Sequence, residues 1–535
     1  MSFLVNNVQQ LSLFDSLGFL SARKQQMLEK SWAKTFSDVI FKNIDEMRFA
    51  PLYSEKRNSR PNAPINVIVG ALIIKEMFGL TDDEVRESLE FDLRFQYALH
   101  TTSFEEQPIS DRTFSRFRSR CAAYELTTGI DLIHDCIASL SKEMAAYMEI
   151  SGTIRRMDSM MVESNIRVMG RLELLYTCLA NLVKGIYRDG NLELIQGMEH
   201  YARSDDRNKV IYHEQDVPQA QRLQQVINDA GTLLPKCREQ YENTEDYQLL
   251  LRAINEQTKG TDGGGRIPKE KGDGMTSDCL QNPADPDATY RMKAGEKHRG
   301  YAANLTEFVD ENGSVITDYQ YDINTTSDAK FMEEYLERQD TSEQTIAIIV
   351  DGAYSGEDIQ GMASEKNIGI LATDLTGRKP RDIHALFQFS DDGTEITQCP
   401  NGNIPKSSSY IRQTGQCRAS FYREQCENCP HRSECRPSIK KQTAVVLLSA
   451  KAKRRAEQYH EIKHSAVYKI IGRIRNGVET TPSRIRNKYL CDKMPVRGKL
   501  RTKQFFGFKV MAANAAKLMR YVRELPGCIA LQGNC

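Results

Sequence analysis

Three acidic residues stand in settings that suit metal-assisted chemistry. Asp158 lies in Gly152-Thr153-Ile154-Arg155-Arg156-Met157-Asp158-Ser159. Asp351 ends the apolar run Ile346-Ala347-Ile348-Ile349-Val350 and is followed by Gly352-Ala353-Tyr354-Ser355-Gly356. Glu479 follows Arg475-Asn476-Gly477-Val478 inside a very basic stretch. Two Asp residues at strand ends and one Glu on a later helix can hold two Mg²⁺ (or Mn²⁺) ions. Such ions activate an attacking oxygen and stabilise a leaving one in phosphoryl transfer. Each Asp alone is a weak signal, because an Asp after a hydrophobic strand is commonly a turn or cap residue. Glu457 and Glu461 compete with Glu479 for the third position.

Cysteines form the second set. Cys426-Glu427-Asn428-Cys429 and Cys435 make a Cys-x2-Cys-x5-Cys run, and Cys399-Pro400-Asn401-Gly402 precedes it. Four thiolates make a closed tetrahedral Zn²⁺ site, and short Cys-x2-Cys loops suit one half of it. The expected ligands are Cys399, Cys426, Cys429 and Cys435, with Cys417 and His431 as spare candidates. The alternative is a group of small buried apolar residues, the reading given to the scattered cysteines elsewhere. No Walker-type phosphate loop and no Ser-His-Asp arrangement can be read, so ATP use and that form of nucleophilic catalysis are not indicated.

The elements that must position these residues can be read in outline. The chain is long enough for several domains, and its 40% hydrophobic content suits globular folding. Lys and Arg number 72, as do Asp and Glu, so whole-molecule charge says nothing about a partner. Its distribution does: the cations from Lys469 through Arg523 are opposed locally only by Glu479 and Asp492. A polyanion is the expected partner of that segment.

Met1 to Ser16 lacks the basic start of a signal peptide, and Val67–Ile74 is too short to span a bilayer and reads as a buried helix. A cytoplasmic, nucleoid-associated protein with reduced cysteines and no membrane partner is expected. Residues 17–150 read as mostly helical. Thr81 should cap one helix, and Ser110 or Asp111 another, with Phe114 and Phe117 inward and Arg112, Arg116 and Arg118 outward. This arrangement suits either a helix-turn-helix-like DNA reader or an ordinary helical bundle with an Arg-rich face.

Ile154–Ile166 reads as a strand, and residues 168–258 as long amphipathic helices. Lys259–Gly265 reads as a linker. Tyr301–Val309 and Ser314–Tyr321 read as a hairpin turning at Asp310-Glu311-Asn312-Gly313. Asp285 and Asp287 read as turn residues, and Lys293, Lys297, His298 and Arg299 as a solvated loop or a nucleic-acid contact. Thr345–Val350 is a buried strand, followed by a helix over 357–366 and a strand over 368–372. Strands interrupted by helices imply a mixed sheet covered by helices, with ligands gathering beyond the strand carboxyl ends, where Asp351 falls.

Together these residues resemble the DDE transposases of bacterial insertion sequences, and more closely the group often called eleven-eighty-two. The likeness rests on the helical front part with Ser110-Asp111-Arg112-Thr113-Phe114, on the Arg156-Met157-Asp158-Ser159 strand, on Val350-Asp351-Gly352-Ala353-Tyr354, and on the Cys-bearing insert before Glu479. It runs from about Leu52 to Tyr521. The helix motif of related transposases has an Arg four residues before the Glu and a basic residue seven after it; Arg475 and Arg486 stand there, whereas Gly472 replaces the usual Tyr.

The resemblance implies an α/β fold: an RNase H-like mixed-sheet catalytic core with a helical N-terminal domain, a helical insertion and a Cys-rich zinc insert. The expected boundaries are 1–150 for the N-terminal DNA-binding domain, and 151–167, 285–395 and 465–525 for the core. The helical insertion and linker would occupy 168–284, and the zinc insert 396–440. The implied function is metal-dependent cleavage and strand transfer at the ends of a mobile element. Asp158, Asp351 and Glu479 would be catalytic and hold Mg²⁺, while Arg475 and Arg486 would hold phosphates. Double-stranded DNA and a homo-oligomer are the implied partners. An inactive DNA-binding relative, or a nuclease that cuts without joining, would share most of these features.

Overall fold

A mixed sheet forms the centre of the molecule, and the strand carrying Asp158 lies in its middle. The structure, a computed structural model, describes the chain outside residues 7–14, 55–59, 104–106, 214–215, 271, 294, 355, 375–379, 465–467 and 525–535. It also leaves out the side chains at 357, 373–374, 458, 461–464, 468–473, 475–476 and 478–479. Cys528 and Cys535 therefore lie outside the described residues.

The N-terminal part is helical, including α1 (Ile65–Phe78), α2 (Asp82–Phe91), α3 (Thr113–Thr128) and α4 (Leu132–Tyr147). Eight consecutive apolar or small residues, Val67 to Ile74, make α1 a buried helix, and Gly79 ends it in the left-handed region at φ +68°. Thr81 caps α2 with a reciprocal bond from Glu84, as its sequence predicts, and Val85 and Leu89 turn inward. The start of α3 differs from expectation. Neither Ser110 nor Asp111 caps it; the helix begins at Thr113, whose Oγ1 accepts a bond from Ser110 N at 2.9 Å. The Thr hydroxyl satisfies the turn before the helix, and Arg112 takes the cap position without a side-chain bond.

The central sheet contains β1 (Ile154–Glu163), β2 (Thr289–Lys293), β3 (Glu296–Asp310), β4 (Gly313–Ile323), β5 (Ile346–Asp351) and β6 (Ile368–Asp374). Its order is β2-β3-β1-β5-β6, with β4 also paired to β3. β1, β2 and β4 run antiparallel to β3, whereas β5 is parallel to β1 and β6 to β5. The expected hairpin is present, with Asp310 opposite Gly313. The predicted loop around Lys293–Arg299 is instead the β2–β3 hairpin, because Tyr290 and Tyr301 draw its strands onto the sheet: Arg299 stacks on the Tyr290 ring, and His298 bonds Glu163 at 2.6 Å. Asp285 stands in the expected turn, its backbone bonded to Asn282 and Ala288. It is fully buried and accepts bonds from Ser164 and, at 2.5 Å, from the Tyr301 hydroxyl.

Between β1 and β2 lies a helical insertion with its own apolar core, built from α5 (Arg171–Arg188), α6 (Gln219–Tyr241) and α7 (Glu245–Gln257). The glycine-rich stretch after it is the tip of a short hairpin, in which Thr258–Gly260 pairs with Arg266–Pro268, rather than an open linker. Beyond the hairpin of β3 and β4, α8 (Asp328–Glu337) and α9 (Glu357–Glu365) cover one face of the sheet, packing Met332, Tyr335 and Leu336 on Met157, Ile348 and Val350.

The Cys-bearing insert is a four-stranded antiparallel sheet of β7 (Ser407–Ile411), β8 (Gln416–Tyr422), β9 (Ser438–Ile439) and β10 (Thr443–Leu448), in the order β7-β8-β10-β9. Three long helices follow the insert: α10 (Ala450–His464), α11 (Tyr468–Lys488) and α12 (Lys499–Glu524).

α12 joins the N-terminal helices to the sheet. Phe505, Phe506, Met511 and Leu518 share one apolar cluster with residues of α1, α3 and α4 and with Val315, Ile316 and Tyr319 of β4. This packing changes the reading of the basic segment. Lys503 pairs with Glu125 and Asp131, Lys509 with Glu76 at 2.7 Å, Lys499 with Asp322, and Lys517 with Glu307. Four of the cations that look unopposed along the sequence are neutralised by carboxylates brought from far away in the chain. Among the described residues, no helix is long and apolar enough to cross a membrane.

Candidate active site

Asp158 and Asp351 lie on adjacent strands whose register is fixed just before them. In the β1–β5 ladder Ile154, Arg155 and Arg156 stand opposite Ala347, Ile348 and Ile349. Two residues further along each strand are Asp158 and Asp351. Side chains alternate along a strand, so the two Asp residues share the face of Arg156 and Ile349, opposite to that of Met157 and Val350. Adjacent strands lie about 4.8 Å apart, so carboxylates level with each other can share an ion.

α11 covers this face. Arg156 reaches it directly, donating from Nη1 to the carbonyl of Ile474 at 3.0 Å. Glu479 lies on α11 between Gly477 and Thr481, one turn before Pro482, whose missing N–H interrupts the helix ladder there. The side chains of Glu479 and Arg475 lie outside the described residues. Glu457, the competing carboxylate, pairs with Lys453 on α10, and the side chain of Glu461 is likewise not described.

Both Asp residues are half-buried and held by nearby amides. Ser159 N donates to Asp158 Oδ1 at 3.0 Å, and Ala353 N to Asp351 Oδ1 at 3.1 Å. The segment after Asp351 is anchored by Tyr354, which is buried and whose hydroxyl donates to Asn304 Oδ1 on β3 at 2.8 Å. Asn304 in turn bonds Gln320 on β4 at 2.8 Å. The sequence reading passed over Asn304; its only signal is a polar residue in the apolar run Tyr301-Ala302-Ala303-Asn304-Leu305. Arg486, near the end of α11, is half-buried, with Nη2 at 3.4 Å from the Met161 carbonyl and Nε at 3.6 Å from Asp492. Among the described residues, no group of three or more His, Cys, Asp or Glu side chains is gathered to hold a metal ion.

The arginines of α3 divide. Arg112 and Arg116 are exposed, and Arg116 lines a cleft with Tyr53, Arg60, Arg86 and Arg120. Arg118 faces inward: it pairs with Asp82, stacks at 4.9 Å on the Phe505 ring, and keeps only 14% of its side chain exposed. Burial pushes the Asp82 carboxyl up, but Arg118 and Lys75 outweigh it and hold the pKa below the usual range. Arg118 thus joins α3 to α2 and α12.

In the Cys-bearing insert, Cys399, Cys426, Cys429 and Cys435 line one small cavity together with His431. Burial, and then the neighbouring thiols, push Cys426 upward and Cys435 to about 11. A turn closed by Gly402 N on the Cys399 carbonyl at 2.9 Å presents Cys399. Cys417 is buried apart from them, against the Gly393 carbonyl.

Comparison with known protein families gives two matches. A family model described as "Transposase DDE domain" matches residues 398–519, which include Glu479, the insert cysteines and most of α12. A second, described as "Transposase domain (DUF772)", matches residues 25–120, the N-terminal helices through the first half of α3. No curated protein and no solved structure matches the chain.

Proposed function

Starting from a chain that these two matches identify as a DDE transposase of insertion-sequence type, we propose that it binds the ends of its own mobile element, cuts there and joins the freed 3′-hydroxyl to target DNA. The observation that carries this reading is the β1–β5 register, with Arg156 opposite Ile349, from which Asp158 and Asp351 are each two residues further along adjacent parallel strands beneath the helix that holds Glu479. The strand order supports an RNase H-like core. An antiparallel trio of β4, β3 and β1 is extended by parallel β5 and β6, and helices lie on both faces.

The donor chemistry fits hard divalent cations. Asp158, midway along β1, and Asp351, at the end of β5, offer carboxylate oxygens, and Glu479 would be the third ligand. Bound Mg²⁺ or Mn²⁺ would supply a nucleophilic oxygen at neutral pH and charge relief on the leaving oxygen. The chain's own contribution is placement. Backbone amides of Ser159 and Ala353 fix the orientation of the two Asp carboxylates, and the Tyr354–Asn304 bond holds the segment that follows Asp351. Arg475 and Arg486 would hold phosphates beside the scissile bond. Arg112 and Arg116 would contact duplex DNA from α3; we leave Arg118 out of that surface because Asp82 and Phe505 occupy it. Two element ends must be paired, which calls for a homo-oligomer. We read the four cysteines that line this cavity as ligands that would close on a structural Zn²⁺ ion, since thiolates are the donors that Zn²⁺ prefers; as they stand they are not gathered to hold one.

The test is incubation of purified protein with labelled element-end DNA in Mg²⁺, beside Asp158→Asn. The reading requires cleaved and joined products from the wild type alone, with end binding retained by the variant. Cleavage without joining would make the protein a nuclease, and normal cleavage by Asp158→Asn would refute the assignment.

A further inference from the structure

A buried ionic network ties the Asp158 strand to the Glu479 helix. Glu307 on β3 is only 2% exposed, and each of its oxygens is engaged. Oε2 accepts from Arg156 Nε. Oε1 accepts from Lys517 Nζ on α12 and, at 2.8 Å, from the Thr481 hydroxyl on α11. Ser314 Oγ closes the group, at 3.4 Å from Arg156 Nη2 and 3.0 Å from Lys517 Nζ. Burial pushes the Glu307 carboxyl up, but Lys517 and Arg156 outweigh it and hold the pKa at about 2.

The network grips α11 at successive points on one side. Arg156 bonds the carbonyl of Ile474 at 3.0 Å. It also lies so close to Gly477 that a Cβ there would stand 2.3 Å from Nη1. Thr481 makes the third contact, through Glu307. These points bracket position 479. On the strand, Arg156 is two residues from Asp158 and shares its face. A slide or rotation of α11 would strip partners from a buried carboxylate and a buried guanidinium, which the low-dielectric interior strongly disfavours.

The geometry points to Arg156, Glu307, Thr481 and Lys517 as positioning residues that set the register of α11 on the sheet and thereby the placement of Glu479 beside Asp158 and Asp351. This inference rests on the carboxylate reading above and adds to it. None of the four need touch DNA or metal. A carboxylate displaced by about 1 Å is enough to slow a reaction severely.

The test uses the full-length protein and three readouts: the rate of end cleavage at saturating Mg²⁺, the Mg²⁺ concentration giving half-maximal rate, and the affinity for end DNA. Thr481→Val removes one hydroxyl at constant shape and leaves Glu307 paired with both cations. It should slow cleavage by on the order of tenfold, raise the Mg²⁺ requirement, and leave end binding unchanged. Thr481→Ser should restore both values, and Gly477→Ala, which displaces Arg156, should reproduce the defect. Wild-type rate and Mg²⁺ dependence in both Thr481→Val and Gly477→Ala, beside an inactive Asp158→Asn, would overturn the inference and leave the carboxylate reading standing. So would a loss of activity that merely follows loss of folded protein, with the Mg²⁺ requirement unmoved. If Asp158→Asn itself cuts normally, the carboxylate reading fails and this inference with it.

Discussion

His134 gives the structure a built-in dependence on alkaline pH. It lies on α4, largely buried, with Nε2 at 2.7 Å from Asp318 on β4 and Nδ1 at 3.5 Å from Asp135. Burial opposes the charged ring, but the bonds to Asp135 and Asp318 outweigh it and raise the pKa from 6.5 to about 9. A group whose pKa rises on folding stabilises the fold fully below its unfolded value and loses that contribution as pH climbs through its folded value. The window therefore runs from pH 6.5 to about 9. At about 1.36 kcal/mol per unit, the shift caps the contribution at roughly 3 kcal/mol. Asp318 is held below 3.8, chiefly by His134 acting against burial, so its own contribution is lost only in acid and does not enter this window.

The lone Trp32 provides the assay, because it packs against the same apolar cluster that contains Ile133 and Ile137 of α4. Urea unfolding followed by Trp32 fluorescence should show the wild type losing up to roughly 3 kcal/mol more than His134→Gln across the window. Other titrating groups contribute to both proteins and cancel in the comparison. Parallel stability curves for the two would refute the assignment of a buried imidazolium.

Three further outcomes follow from packing and donor chemistry. Lys509→Met leaves the buried Glu76 with only Lys75, at 3.4 Å, and should cost about 3 kcal/mol in the same unfolding assay. Gly300, at φ +146°, passes so close to β1 that a Cβ would lie 2.4 Å from the Val162 carbonyl oxygen; Gly300→Ala should cost about 2–3 kcal/mol and reduce soluble yield. Metal analysis of protein purified without chelator should find one Zn²⁺ per chain, lost in Cys426→Ser. Absence of zinc from the wild type would remove the metal from the account of the insert.

Local chemistry made much of the scaffold legible. Thr81 and Glu84 announce a capping box, Asp310–Gly313 announces a hairpin, and Ile346–Val350 is apolar enough to be a buried strand ending at Asp351. What escaped the sequence depends on partners distant along the chain. The cations of α12 look free until Glu76, Asp322, Glu125 and Glu307 are folded against them. Arg118 reads as an outward residue of α3, yet Asp82 lies on the neighbouring α2 and Phe505 on α12. Helical spacing could not reveal either contact. The pairing of β1 with β5 is a register between strands almost two hundred residues apart, which no local pattern encodes. Arg156 and Glu307 are likewise ordinary charged residues until β1 and β3 pair them.

The central claim is that Asp158 and Asp351 belong to one metal-dependent centre. Its most direct test is cleavage of element-end DNA by Asp351→Cys in Mg²⁺ and in Mn²⁺. A thiolate is a poor ligand for hard Mg²⁺ but an acceptable one for softer Mn²⁺. The account predicts an inert variant in Mg²⁺ that regains cleavage in Mn²⁺, whereas wild-type cleavage by Asp351→Cys in Mg²⁺ would contradict it.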